Sequence, residues 1–435
     1  MVTIKPFCGY RYNEEKINLS NVVLPPYELT EDFQKNFIKL SPFNIIHIYL
    51  GKKNSLNNGE RYEYSSKLFN SWIRDGILKK DERPCLYIYS QEFMLNGKFF
   101  ERTGFIALVE LEELGKNIFP HEETMEETLI NRRVLLEKTR ANFGLIFSLY
   151  SDEKREIEKI LEKFKKRKPL VEFFTEFEGV KHKLWKINDT KIIQKISNLM
   201  KNKKLLIADG HHRYKVSLEY NIKHPNDSSA KYISMFLVNI KNKGLVVLPT
   251  HRIVKGIKNF NKEKFLNELK KNFLIEKFSF RKKSYEEKEK EIMEILQKKD
   301  GKHFGLYLGG NDFYIINLKD IKIMDKILPN HSIEWKNLDI NILHSLILKK
   351  ILNIDVHNEK CKCFIEYVKD FKENASQCIR KVDEGECNFS IFINPIQINK
   401  VKKIVEKGEI IPPKSTCFFP KVYCGLVIYR FDDLF

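Results

Sequence analysis

The sequence predicts an α+β protein. Three observations carry that expectation: β-branched and aromatic runs of strand length, amphipathic stretches at helical spacing set between them, and Asn-Gly or Gly-Gly turns that join strand pairs. The 435 residues are 42% hydrophobic and 31% charged, a globular balance too apolar for a disordered chain. At roughly 100–200 residues per domain the length predicts two or three domains. The lysine-rich stretch Lys255 to Lys262 is the expected boundary, dividing 1–255 from a smaller α+β region, 256–435.

Ile4 to Tyr12 reads as a strand and turn. Val22-Val23-Leu24 runs apolar into Pro25-Pro26, and Pro26 suits the first position of a helix whose positive end Glu28, Glu31 and Asp32 would complement. Asn44 to Leu50 is β-branched and reads as a strand; Tyr62 to Asp75 reads as a helix ending at Gly76. Cys85 to Phe93 and Arg102 to Leu111 form an antiparallel pair around Asn96-Gly97. Helix Glu126 to Ala141, strand Ile146 to Tyr150 and helix Asp152 to Phe164 follow. Strands near Val171 to Phe177 and Val180 to Trp185 precede a helix from Asp189 to Met200. Leu205 to Ala208 is a short buried strand that runs into Asp209-Gly210-His211-His212-Arg213-Tyr214 and a helix. Lys231 to Asn239 and Gly244 to Leu248 are strands. Past the boundary come helices Lys264 to Asn272 and Tyr285 to Gln297, a hairpin from His303 to Leu318, and a tail with a helix from Ile340 to Leu352.

The formal charge is +19, but most of the excess is lysine spread along solvated helix faces such as Glu153 to Lys168. A nucleic-acid footprint would be Arg-rich, concentrated and interleaved with aromatics, so nucleic acid is not the expected partner. The longest nearly unbroken apolar run, Tyr232 to Ile240, falls far short of the ~20 residues of a membrane helix. The start, Met1 to Pro6, has no export or transit pattern, so the expectation is a cytoplasmic chain with reduced thiols. Cys361 and Cys363 read as packed on one face of a strand, and their spacing to Cys378 and Cys387 matches no standard zinc module.

P-loop, dinucleotide, kinase and nucleophile-elbow signatures are absent from the sequence. One segment stands apart. Asp209-Gly210-His211-His212-Arg213 lies between a buried strand and a helix. Gly210 allows a sharp turn, the first amides of the helix suit an anion, and His211, His212 and Arg213 add donors at the same place. Asp209 could cap the helix, ligate a metal or orient a histidine. Neighbouring histidines on a helix diverge, so a metal, if one is present, is expected as a magnesium–nucleotide complex held by phosphates. Companion segments are Pro25-Pro26-Tyr27-Glu28, with Glu28 placed as a general base or a dipole partner, and Pro120-His121-Glu122-Glu123-Thr124, a polar wall or a cap. Pro249-Thr250-His251-Arg252 adds a His-Arg pair, and Pro413-Lys414-Ser415-Thr416 offers an ammonium and two hydroxyls in one turn.

Together these stretches resemble the domain-of-unknown-function family 1015 (DUF1015). The resemblance rests on Lys5-Pro6-Phe7, Arg11-Tyr12, Pro25 to Glu28, Pro120 to Glu122, Ala208 to Tyr214, Pro249 to Arg252, and Pro413 to Lys421 with Gly425-Leu426. It runs in order along nearly the whole chain. Departures are Glu28 for the commoner Asp, Glu123 for a basic residue and Cys417 for an aromatic. The DGHHR segment is similar to that of the ParB/sulfiredoxin-like fold and its free-serine kinases. That similarity implies a ParB/sulfiredoxin-like core with large insertions, Asp209, Gly210 and Arg213 on phosphate, and Glu28 as the base, with a nucleotide (ATP or ADP) and Mg2+.

The resulting expectation is a phosphotransferase for a small hydroxylated metabolite, free serine or phosphoserine first. Glu28, His211 and His212 form the catalytic set. Asp209, Gly210, Arg213, Arg252, Lys414, Ser415 and Thr416 hold phosphate, and Tyr27, His121, Glu122 and His251 line the substrate, the final segment returning to the site. The alternative is a non-catalytic, ParB-like nucleotide- or DNA-binding regulator. The direction of reaction and the oligomeric state stay open.

Overall fold

Strand formation follows the β-branched and aromatic runs, and the charged amphipathic stretches become the covering helices. The computed structural model describes residues 1–431 apart from 53–54, 56, 123–125, 283, 300–301, 357, 370–373 and 413. The chain forms two units. The first comprises Met1–Pro120, Thr124–Val246 and Pro420–Phe435; the second comprises His121–Glu123 and Val247–Phe419. The two units are mixed α+β.

The first unit is built on a sheet of nine strands among the described residues. In chain order these are β1 (Ile4–Lys5), β2 (Leu86–Leu95), β3 (Lys98–Glu110), β4 (Ile118–Phe119), β5 (Ile146–Tyr150), β6 (Val171–Thr175), β7 (Val180–Ile187), β8 (Leu205–Asp209) and β9 (Tyr232–Asn239). Their spatial order is β4-β8-β5-β9-β3-β2-β7-β6, with β1 also on β3. The β2–β3 hairpin turns at Asn96 and Gly97, both at positive φ, as the Asn-Gly dipeptide predicts. Phe105, Ala107 and Val109 of β3 share a core with Ile233, Met235 and Leu237 of β9. Ile157 and Leu161 of helix α1 (Glu156–Lys165), Ile196 of helix α2 (Thr190–Met200) and Tyr214 of helix α3 (His211–Lys223) complete it. Burying the Val, Leu, Ile, Phe and Met side chains among these is worth about 1.5–3 kcal/mol each.

Four expectations are corrected here. No helix starts at Pro26: it begins at Glu31, because Thr30 accepts the Phe33 amide as its cap. Glu28 therefore lies ahead of that helix, on an exposed turn, and gains no dipole from it. Asn44 to Leu50 is not a strand; Ile46–Leu50 is a short buried helix, started by the Asn44 side chain accepting the Ile46 amide at 2.9 Å. A short apolar run does not distinguish the two by period. Cys361 and Cys363 sit on a 3-10 helix, Glu359–Phe364, with Cys363 exposed. The helix expected at Ile340 to Leu352 is α-helical over Asp339–Ile342 and π-helical over Leu343–Ile351.

The second unit carries a six-stranded sheet among the described residues, within which Thr250–Val254 lies between Phe389–Phe392 and Ile365–Lys369. The hairpin His303–Tyr307 with Asp312–Leu318 forms as the Gly309-Gly310 turn predicts.

Candidate functional site

The turn between β8 and α3 is shaped before any side chain acts. The pairing of β8 with β5 shifts register between Ile207 and Asp209, a bulge that re-aims Asp209. Gly210 then takes φ +100°, a region open to glycine, and serves as the N-cap of α3 without a side-chain hydrogen bond to the helix. The first amides of α3 lie at the helix's positive end, where the N-cap glycine itself offers no side chain. His211, His212 and Arg213 are partly buried there.

Asp209 is held by charge. Lys421 Nζ donates to its Oδ2 at 2.6 Å, and Arg213 Nη2 stands 3.8 Å from its Oδ1. Burial pushes the carboxyl up, but Lys421 and Arg213 outweigh it and hold Asp209 well below the usual carboxylate range. Arg213 Nη1 is buried against Gly144 with no hydrogen-bond partner among the described residues. Arg213 also lines a cavity of about 40 Å³ with Tyr49, Arg132, Asn142 and Ser217.

A polar chain leads from this point to the Pro25-Pro26-Tyr27-Glu28 loop. Tyr27 donates its hydroxyl to Glu178 Oε1 at 2.7 Å, and the Lys421 amide donates to the same oxygen at 3.1 Å. Glu178 is 4% exposed; burial raises its carboxyl, against the pull of Tyr27 and Lys421. Gln91 Nε2 donates to the Lys421 carbonyl at 2.8 Å, and buried Arg102 donates to Pro420 and Gln91 oxygens. Burial brings the Arg102 guanidinium down to about 10, although Tyr89, Glu178 and Asp209 favour its charge.

Tyr27, Glu28 and Asp209 to Arg213 thus belong to the first unit, and His121, Glu122, His251, Arg252 and Lys414 to Thr416 to the second. In the second, Glu122 Oε1 accepts the Lys414 amide at 2.8 Å, His121 Nε2 meets Thr416 Oγ1 at 2.7 Å, and Ser415 donates to the Pro412 carbonyl at 2.6 Å. These bonds hold Lys414 at φ +59°. Pro413, Glu123 and Thr124 lie outside the described residues. Arg252 is fully buried, donating to the Thr250 and Lys414 carbonyls and stacked 4.4 Å over Tyr367. His251 is buried too, accepting the Ile393 amide on Nδ1 at 3.2 Å. As placed, neither side chain faces solvent.

Three residues of the first cluster were not expected from the sequence. Lys421 had a signal, as the last residue of the Pro413 to Lys421 stretch. Arg102 had one as well, a charge within an otherwise inward-facing strand. Glu178, an acid in a two-strand turn, had none. Among the described residues, no three His, Cys, Asp or Glu side chains gather as metal ligands.

Solved structures similar to this chain include a conserved hypothetical protein from Pyrococcus furiosus, at 15% identity and a TM-score of 0.32, covering 74% of this chain and 95% of that one. A free serine kinase in complex with AMP is similar at 14% identity and a TM-score of 0.35, covering 75% and 96%. SbnI from Staphylococcus aureus, truncated at its C-terminus, is similar at 10% and 0.34, covering 73% and 84%. Scores of this size do not carry a fold or an activity across to this chain. No curated protein matches it. The family model described as "Protein of unknown function (DUF1015)" matches residues 4–341, most of the chain, and the chain belongs to that family.

Proposed function

We propose that the protein is a phosphotransferase acting on a small hydroxylated metabolite, with free serine or phosphoserine the leading substrate, on a ParB/sulfiredoxin-like core. The observation that supports this best is the contact chain from Tyr27 through Glu178 and Lys421 to Asp209, which ties the loop bearing Glu28 to the start of α3. Phosphoryl transfer asks a protein mainly for positioned positive charge and one base. Arg213, the first amides of α3 and the adjoining His211 and His212 are the charge and donors; exposed Glu28 is the base that takes the hydroxyl proton. The nucleotide is ATP or ADP. Asp209 is the carboxylate at this turn, so a magnesium ion would be held chiefly by phosphate oxygens, whose charge it would neutralise. The second unit's cluster is assigned no step.

Glu28→Gln keeps shape and removes the charge. It should leave ADP binding nearly intact and cut serine phosphorylation by about 10²-fold or more, the usual size of general-base catalysis. Arg213→Ala should instead weaken ADP binding first, because that contact exists in the ground state. Wild-type turnover in Glu28→Gln would refute the assignment of the base. ADP binding by the wild type without any phosphorylation would favour the non-catalytic regulator.

A further inference from the structure

Lys421 is nine-tenths buried, and its ammonium lies 2.6 Å from Asp209 Oδ2. Its main chain is clamped on both sides, by Glu178 at the amide and Gln91 at the carbonyl. A buried ion pair gains little net stability over well-packed apolar side chains, so stability alone is a poor reason for a lysine here. The local charges do not cancel. Asp209 and Glu178 supply two carboxylates, whereas Lys421, Arg213 and Arg102 supply three cations, and the positive end of α3 adds to them. Arg213 turns Nη2 and Nε towards Gly210, the N-cap of α3, where a Cβ would stand 3.0 and 3.2 Å from them, so its charge lies at the same turn as Lys421 and Asp209.

We infer that Lys421 is a phosphate-binding residue: Asp209 holds its ammonium while the site is empty, and the ammonium turns to a phosphate group that reaches the start of α3, sharing it with Arg213. The inference rests on the phosphotransferase reading but names a residue which that reading does not require. Asp209 keeps the ammonium aimed at the turn, and the clamped backbone leaves the side chain as the part able to swing. A dianion competes for it on favourable terms, because it also answers Arg213 and the helix amides.

The test is calorimetric titration of inorganic pyrophosphate into the full chain, for wild type, Lys421→Met, Asp209→Asn and the double variant. Wild type should bind, and Lys421→Met should bind about 10-fold or more weakly, the usual loss of a charge-assisted hydrogen bond. Lys421→Met removes the nearer of the two cations on Asp209 and leaves Arg213 at 3.8 Å, so the deciding comparison is in the Asp209→Asn background, where removing the lysine should weaken binding by a similar factor. Absence of pyrophosphate binding by wild type would overturn the inference. So would wild-type affinity in Lys421→Met, or equal affinities for Asp209→Asn and the double variant. Serine phosphorylation assayed on the same samples separates the two ideas. Lys421-dependent binding without phosphorylation keeps the inference and removes the serine reading. Phosphorylation with unchanged nucleotide dependence in Lys421→Met does the reverse.

Discussion

At Gly144 the backbone runs so close to Arg213 that a Cβ would stand 2.3 Å from Nη1 and 2.7 Å from Cys424 Sγ. Gly144→Ala should therefore displace the guanidinium, weakening ADP binding by about 10-fold, while overpacking costs about 1–3 kcal/mol of stability. Denaturant melts and ADP titration on one preparation would check both. Tyr27→Phe removes the hydroxyl that Glu178 accepts, leaving a buried carboxylate short of a donor; a loss of about 1–3 kcal/mol is expected in the same melts. At this scale the sequence announces Asp209 to Arg213, because five chemically capable residues occur together. It does not announce Glu178, whose role depends on Tyr27 and Lys421, respectively 151 and 243 residues away.

Among the elements, α3 is poised by its cap. Gly210→Ala would force a side chain to φ +100° and place Cβ 2.9 Å from Ile146 Cδ1, so about 1–3 kcal/mol of stability should be lost. Hydrogen exchange of the α3 amides should rise with it. In the β2–β3 hairpin, Arg102 reaches Gln91 and the Pro420 carbonyl. Arg102→Met should loosen the Pro420–Lys421 segment, seen as faster exchange at the Lys421 amide. Periodicity shows these strands and helices well where they are long. It fails for Ile46–Leu50 and Glu359–Phe364, where a few apolar residues suit helix and strand alike and a local side-chain or turn bond decides.

For the whole molecule, acid sensitivity follows from buried histidines. Burial, aided by Arg102, drops His182 to about 3, and burial with Arg252 does the same for His251. Both are neutral when folded near neutrality and gain a proton on unfolding below the unfolded value of about 6.5. Their cost is absent above that pH. It grows by about 1.4 kcal/mol per pH unit for each as pH falls towards the folded value. Asp209 has a depressed pKa, so its contribution is full above the unfolded carboxylate value of about 3.9 and is lost only below it. Urea midpoints should therefore fall already between pH 6.5 and 5, and His182→Gln should flatten that slope by about one proton.

The sequence by itself determined the α+β class, the family, the long elements and the strand–glycine–helix turn at Asp209 to Arg213, because each is written in neighbouring residues. Only the tertiary structure decided which distant groups that turn meets. Residues 420–431 return to the first unit and bring Lys421 onto Asp209, 212 positions away, and the β6–β7 turn brings Glu178 onto Tyr27. Pairings across such separations are set by sheet order and packing, which no local pattern encodes. The same packing buried Arg252 and His251, which the sequence alone presents as a His-Arg pair after a strand, read there as a phosphate holder and a substrate-lining residue.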